Sequence, residues 1–150
     1  MIAWTTLIFG ILLFIADRST IKNKINDNLN LKNILLIGIF QILAIIPGVS
    51  RSGIIITASR FLNFGRVDSS KISFYLSIPA LAGASVLSMK DIVNTNIDVN
   101  FLFIFAVLLS FVFSYLTIKY FLIYVRNFNL NLFVYYRTFL ALILFVIAYS

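Results

Sequence analysis

The chain contains no cysteine, no histidine and no glutamate, and its acidic residues are five aspartates. The absence of cysteine excludes disulfide bonds and thiolate metal sites. Each aspartate lies in or beside a predicted loop, so the sequence predicts no carboxylate within a membrane for acid–base catalysis or metal binding. The five positions are Asp17, Asp27, Asp68, Asp91 and Asp98.

Apolar residues dominate the amino-acid composition. Hydrophobic residues make up 61% of the chain, 16 of its residues are phenylalanine, and only 11% are charged. This composition excludes an ordinary soluble domain and indicates an integral membrane protein. The net charge of +7 comes from basic residues scattered at the ends of apolar segments. That distribution favours membrane topology over nucleic-acid binding, because there is no basic face.

The polar stretch Pro47-Gly48-Val49-Ser50-Arg51-Ser52-Gly53 lies between two short apolar runs, 34–47 and 54–62. Neither run alone reaches the roughly 20 residues that a spanning helix needs. Pro47 ends the first run, and the glycines permit backbone angles that other residues avoid. We therefore predict a re-entrant helical hairpin over residues 34–62, with the polar stretch at its bend. Residues 47–53 are called the tip below.

The tip combines the groups that bind phosphate. A helix beginning there would point free backbone N–H groups near Ser52 and Gly53 at an anion, and Arg51 would grip phosphate oxygens. Ser50 and Ser52 would donate hydrogen bonds or attack, and Thr57 lies one turn into the return limb. A solvated loop is the alternative, but apolar flanks favour a functional arginine. The sequence offers no base near the tip, so it supports binding phosphate better than cleaving it.

The remaining chain predicts a single all-α membrane domain over residues 1–150. Four transmembrane helices are expected at 1–16, 72–89, 101–118 and 132–149, with Pro79 kinking the second. By the distribution of Lys and Arg, the loops 17–33, 63–71 and 119–131 are cytoplasmic and 90–100 is external. The first loop is interpreted as a solvated linker.

Three arginines outside the tip leave alternatives open. Arg60 is interpreted as an anchor whose side chain extends toward lipid headgroups. Arg66 either supports the site or anchors in the same way. Arg137, about one turn into the last helix, either extends to the interface or pairs inside the bundle.

The region from Gln41 through the tip to Pro79 resembles the bacterial undecaprenyl-diphosphatase family, the bacitracin-resistance phosphatases. The similarity is carried by the Pro-Gly-Val-Ser-Arg-Ser-Gly heptad, by Gly65-Arg66, by Ser73-Phe74 and by Tyr136-Arg137. It extends over essentially all 150 residues but covers only the second half of the family's usual length.

The resemblance implies a fold, a reaction and a location. The fold would be half of an inverted repeat, in which two membrane hairpins meet near the midplane. The reaction would be hydrolysis of undecaprenyl diphosphate to the monophosphate with a divalent cation, Mg or Ca, in the bacterial inner membrane, for peptidoglycan precursor recycling. It assigns catalysis to Arg51 and Ser50, and substrate binding to Ser52, Gly53, Gly48, Thr57, Gln41 and Arg66.

The chain departs from the family in lacking the first half, which supplies the glutamates and histidine. We therefore expect the cation's ligands outside this chain, and either a truncated or split product or a partner that brings the other hairpin. That partner would be the missing N-terminal half or a second copy. Ile54-Ile55 replaces the family's Ala-Thr after the tip, so Thr57 would have to compensate. A different class stays open: a non-catalytic module that binds or transports anionic lipid.

Overall fold

The computed structural model describes residues 2–94 and 101–149; within these ranges the regular secondary structure is helical, and there is no sheet. Seven α-helices follow one another, and a single 3-10 turn, Leu43–Ile45, continues the third. Their bounds are α1 Ile2–Asp17, α2 Ile25–Asn28, α3 Leu31–Ile42, α4 Arg51–Phe61, α5 Arg66–Asn94, α6 Phe101–Asn127 and α7 Asn131–Tyr149.

Three helices are long and apolar enough to cross a bilayer by length and composition: Arg66–Met89, Phe103–Asn127 and Asn131–Ala148. Two further apolar segments, Ile2–Asp17 and Leu31–Ile45, are shorter. The prediction of an all-helical protein with apolar spans is confirmed at this level.

The helical structure is interrupted between α3 and α4, where the sequence predicts the bend. Helical structure ends at Ile45 and resumes at Arg51, so residues 34–62 are not one continuous rod. The two helices then pack against each other. Proline at position 47 has no backbone N–H to donate, and it stands where the first limb has already stopped.

Two helices extend further than predicted. The expected span 72–89 is part of α5, Arg66–Asn94, which continues through Pro79. The expected span 101–118 is part of α6, Phe101–Asn127, so Lys119 lies within a helix and not in a loop. Of the predicted external loop 90–100, residues 90–94 are helical and 95–100 lie outside the described residues.

Helix α1 is packed between α4 and α7. It runs antiparallel to α7: the Trp4 and Phe145 rings are 5.0 Å apart, and Leu130 donates its N–H to the Asp17 carboxylate at 3.4 Å. Buried apolar side chains form one cluster around α4 and the start of α5, and another between α1, α4, α6 and α7. Helix α6 packs chiefly on α5, and most of its side chains are exposed.

A polar cluster joins four segments at the end of α1. Arg66 makes a bidentate ion pair with Asp17: Nε donates to Oδ1 at 2.7 Å and Nη2 donates to Oδ2 at 3.0 Å. Arg60 donates to the backbone carbonyls of Asp17, Ser19 and Phe64 at 2.7–2.8 Å. Asp17 is 5% exposed and Arg60 is 2% exposed. This cluster is called the end layer; it consists of Asp17, Arg60, Arg66 and Leu130.

The end layer corrects the interpretation of Arg60. Its side chain does not extend toward lipid headgroups; it is buried and satisfies carbonyls where α1 and α4 end. Unpaired carbonyls at helix ends attract guanidinium donors, which explains this position better than snorkelling.

The linker after α1 is also more ordered than a solvated connection. The N–H groups of Lys22 and Asn23 donate to the carbonyl of Asn63, and the Asn23 amide donates to Leu62 at 2.8 Å. Ile25 donates its N–H to the carboxylate of Asp68 at 3.3 Å. The linker therefore fastens the turn between α4 and α5.

Candidate functional site at the tip of the broken helix pair

The bend at the tip depends on Gly48, whose φ is +92°. A Cβ at this position would overlap Thr5 Oγ1 and would lie 2.9 Å from the carbonyl oxygen of Ile2. The hydroxyl of Thr5 is 2.7 Å from the Pro47 carbonyl, and Thr6 Oγ1 is 3.4 Å from the Gly48 carbonyl. The beginning of α1 is therefore pressed against the bend, and only glycine satisfies both the angle and the contact.

Ser50 caps helix α4. Its backbone is extended, and its hydroxyl accepts the N–H of Gly53 at 3.2 Å. Serine is favoured at this position because the first helical N–H groups have no acceptor within the helix. The prediction of a free N–H donor at Gly53 is therefore wrong, because the Ser50 hydroxyl accepts that N–H. Among the described residues no acceptor is found for the N–H groups of Arg51 and Ser52, which remain as donors.

The guanidinium of Arg51 is held by Gln41 of α3. With the amide oriented so that its oxygen faces the arginine, that oxygen accepts from Nε and Nη2, both at 3.0 Å. One edge of the guanidinium is thereby fixed, and Nη1 is left to bind an anion. Gln41, predicted to bind substrate, contacts Arg51, which is predicted to be catalytic.

A second arginine reaches the tip from α7. Arg137 Nη2 lies 2.8 Å from the position that a Cβ on Gly53 would occupy. The Cβ of Arg137 lies 3.5 Å from the position that a Cβ on Gly10 of α1 would occupy. No carboxylate of the described residues pairs with it. The two alternatives for Arg137 were extension to the interface and pairing in the bundle; its side chain instead crosses α1 and lies over the start of α4.

Ser52 lines three cavities around the tip. The Arg137 cavity, about 90 Å³, also contains Ser50 and Gly53. The Arg51 cavity, about 280 Å³, is lined by Arg51 together with Ser52. The third, the side cavity, measures about 210 Å³. Ser52 is therefore shared by a cavity lined by Arg137 and a cavity lined by Arg51, and Ser50 Oγ lies 3.2 Å from Ser52 Oγ.

Residues 1–143 match the family model described as "Bacitracin resistance protein BacA". The chain belongs to the BacA family. It is 57% identical over 150 residues to a protein of Pelagibacter ubique named undecaprenyl-diphosphatase, covering 100% of this chain and 59% of the relative. Equally named proteins of Elusimicrobium minutum and Teredinibacter turnerae are 45% and 40% identical, covering 99% and 97% of this chain and 56% of each relative. The chain therefore spans less than three-fifths of these relatives' length.

Two residues that the BacA resemblance assigns to substrate binding have side chains that are engaged by other groups of the protein. Thr57 is 3% exposed and its hydroxyl donates to the Gly53 carbonyl at 2.7 Å, within its own helix. It lines none of the three cavities. Arg66 is engaged by Asp17 at the far end of α4, which lies about 15 Å from Arg51 at 1.5 Å per residue. Neither side chain lines any of the three cavities: the Thr57 hydroxyl bonds within α4, and Arg66 pairs with Asp17.

The tip of this BacA chain does not resemble a divalent-cation site. The described residues include no group of three His, Cys, Asp or Glu side chains that could hold a metal ion. Mg²⁺ and Ca²⁺ prefer carboxylate and carbonyl oxygens, whereas the side chains at the tip are two arginines and two hydroxyls. Two cations without a nearby carboxylate fit an anion with more than one negative charge.

Sequence reasoning missed three residues that line the cavities of the BacA tip. Arg137 was recognised as fitting the family pattern but not as part of the tip, because nothing in spacing pairs residue 137 with residue 53. Ser73 and Ser77 line the Arg51 cavity, and Ser73 Oγ donates to the carbonyl of Ser52 at 3.5 Å. Their four-residue spacing on a predicted helix was the available signal, since it places both on one face.

Proposed function

We propose that this chain is the phosphate-binding part of an undecaprenyl-diphosphatase, which converts the lipid carrier diphosphate to the monophosphate and phosphate. The observation that carries the proposal is the pair of guanidinium groups, Arg51 and Arg137, in two cavities that share Ser52. A diphosphate headgroup has two adjacent phosphoryl groups, and each could accept a charge-assisted hydrogen bond from one guanidinium. Two guanidinium groups therefore fit a diphosphate better than a single phosphate. The names of the relatives support this substrate class.

The proposed setting is the bacterial inner membrane. Four helices would cross it, namely α1, α5, α6 and α7, while α3 and α4 would enter as a hairpin over residues 34–62 and turn back at the tip. Support comes from the break at 46–50 and from the contact between α3 and α4. Irregular backbone at membrane depth needs protein cover, which the start of α1 supplies through Thr5 and Thr6.

In the proposed reaction, the oxygen of water bonds to the terminal phosphorus while the bond from that phosphorus to the bridging oxygen breaks. The electron pair stays on the lipid monophosphate, and the water's proton goes to a base. Arg51, with Ser50, would act on the reacting phosphoryl group, and Arg137 would neutralise the second. The N–H groups of Arg51 and Ser52 would bind oxygens that gain charge.

The described residues supply no base at the tip, and their donors do not fit a cation site. We therefore place the base and any divalent cation on polypeptide that this chain does not include. That polypeptide would be the part of the relatives that this chain does not match. No step is derived through the cation.

The experiment is phosphate release from undecaprenyl diphosphate in proteoliposomes. This chain is reconstituted with the part of the Pelagibacter ubique relative that it does not match. We expect release that falls at least about 100-fold in Arg51→Ala, which matches the loss of a principal charge-stabilising donor. Arg18→Ala, an exposed arginine outside the tip, is the matched control and should retain activity. Equal release by wild type and Arg51→Ala contradicts the proposal, and a normal rate from this chain alone contradicts the half-site.

A non-catalytic membrane module that binds or transports anionic lipid is the second candidate. The lack of a base at the tip favours it. Transfer of a fluorescent anionic lipid between leaflets, without phosphate release even when the missing part is supplied, would select this candidate over the phosphatase.

A further inference from the structure

The side cavity lies between α4, α5 and α6 and changes character along its wall. Ser52 and Ser73 contribute hydroxyls at one part, and the remainder is predominantly apolar. The other lining residues are Ile56, Phe74, Thr117, Ile118 and Phe121. No charged side chain lines it. A polar patch joined to an apolar wall suits a ligand with an anionic head and a hydrocarbon chain.

The side cavity is adjacent to the charged parts of the tip. It shares Ser52, Ser73 and Phe74 with the Arg51 cavity, and Ser52, Ile56 and Phe121 with the Arg137 cavity. The rings of Phe74 and Phe121 are 5.7 Å apart in an edge contact. A chain attached to a headgroup at Ser52 would therefore pass directly along these two rings.

The side cavity also faces outward through α6. Thr117 is exposed and Ile118 is 39% exposed. Helix α6 packs chiefly on α5, so the wall of the side cavity toward the outside is a single helix. On the other side of the tip, α1 lies between α4 and α7. A hydrocarbon chain in the side cavity could continue into the bilayer between α5 and α6 without crossing buried polar groups.

We propose that the side cavity binds the isoprenyl units nearest the diphosphate and that the lipid enters sideways between α5 and α6. This inference rests on the proposed function, because it places the headgroup at Ser52. Phe74, Ile118 and Phe121 become the residues that distinguish a prenyl diphosphate from inorganic diphosphate. The apolar contacts contribute affinity through burial, and the tip contributes through charge.

The test compares the binding of farnesyl diphosphate and inorganic diphosphate to the full chain in nanodiscs. Wild type should bind farnesyl diphosphate at least about tenfold more tightly, which corresponds to burying one or two methylene groups. Ile118→Trp, which fills the side cavity, should remove most of this advantage and leave inorganic diphosphate binding within about twofold. Ile104→Trp is the matched control, because Ile104 is 52% exposed on the same helix and lines none of the three cavities.

The outcomes separate the two proposals. If inorganic diphosphate binds but the farnesyl chain adds no affinity, or Ile118→Trp leaves that added affinity intact, the side-cavity inference is overturned and the proposed function stands. If inorganic diphosphate does not bind, the proposed headgroup site fails. A farnesyl diphosphate analogue with a diazirine in its first isoprenyl unit then decides the tail site: labels on Phe74, Ile118 or Phe121 support it, and labels on α1 or α7 overturn it.

Discussion

At the scale of single residues, the sequence predicts the tip well where the chemistry is local. A proline, two glycines and a serine within seven residues indicate a bend followed by a helix start, and both are present. The errors concern hydrogen bonds that depend on a neighbour. The Gly53 amide is not free because Ser50 accepts it, and Thr57 faces its own backbone because a buried hydroxyl needs an acceptor.

Gly48→Ala should destabilise the protein by about 2–4 kcal/mol, because it adds both a strained φ and an overlap with α1. The free energy of unfolding in mixed micelles measures this. Gly83→Ala is the matched control, since a Cβ at Gly83 would meet nothing within 4 Å. In a helix that change should be neutral or stabilising by up to about 1 kcal/mol. Equal stability of the two variants would show that the bend does not require glycine.

Gly53→Ala separates affinity from stability. Its Cβ would lie 2.8 Å from Arg137 Nη2, the far end of a flexible side chain that can move away. We expect the free energy of unfolding to change by less than about 1 kcal/mol, because helical Ala is favoured over Gly. Inorganic diphosphate binding should weaken about tenfold as one guanidinium leaves the tip. Calorimetry gives the affinity, and unchanged binding would remove Arg137 from the site.

At the scale of elements, four helices contribute to the tip at one common depth. In each, a residue near the tip lies seven positions from the end layer, or about 10 Å along the helix axis. The four residues are Gly10 in α1, Gly53 in α4, Ser73 in α5 and Arg137 in α7. The end layer thus sets the relative heights of the helices, and the equal offsets place these residues side by side.

The sequence predicts that the helices exist, but it does not predict all of their ends. Helix α6 continues past Lys119 because residues 119–127 contain neither proline nor glycine, and a single charge near an interface does not end a helix. The end layer was not predicted, because the attraction between Asp17 and Arg66 joins residues 49 positions apart. Loop composition suggested a solvated linker, whereas burial of Asp17 is decided by the packing of four segments.

Asp17→Asn should destabilise the protein by about 3–5 kcal/mol, because it keeps the side chain's shape but leaves Arg60 buried without its nearby carboxylate. It should also weaken diphosphate binding, since the helices lose their common depth. Thermal unfolding and calorimetry measure the two effects. Asp27→Asn is the exposed control and should change neither. A stable Asp17→Asn variant with normal binding would show that the end layer does not set the tip.

At the scale of the whole molecule, apolar composition and the distribution of basic residues predict an integral membrane protein, and the helix lengths agree. Which helices become neighbours was not predictable from the same information. Apolar faces in a membrane do not encode a partner, and small residues and specific polar contacts select it. Here Gly10 of α1 lies against Arg137 of α7, and Asp17 at the other end of α1 accepts the N–H of Leu130.

The proposed topology is testable because the chain has no cysteine and gives no background in thiol labelling. Cysteine at Lys22 or Arg126 should react with an impermeant maleimide in inside-out vesicles only. Cysteine at Ser88, an exposed position near the other end of α5, should react in right-side-out vesicles only. Labelling of Lys22→Cys and Ser88→Cys from the same side would contradict a membrane-crossing α5.

The antiparallel contact between α1 and α7 has a consequence for biosynthesis. Arg137 is translated 86 residues after Arg51 (137 − 51), so the first half of the anion grip emerges long before the second. A nascent polypeptide halted before α7 would display one guanidinium and an uncovered flank of α1. In the proposed function, binding of the diphosphate headgroup by both guanidinium groups would therefore wait until α7 has packed against α1.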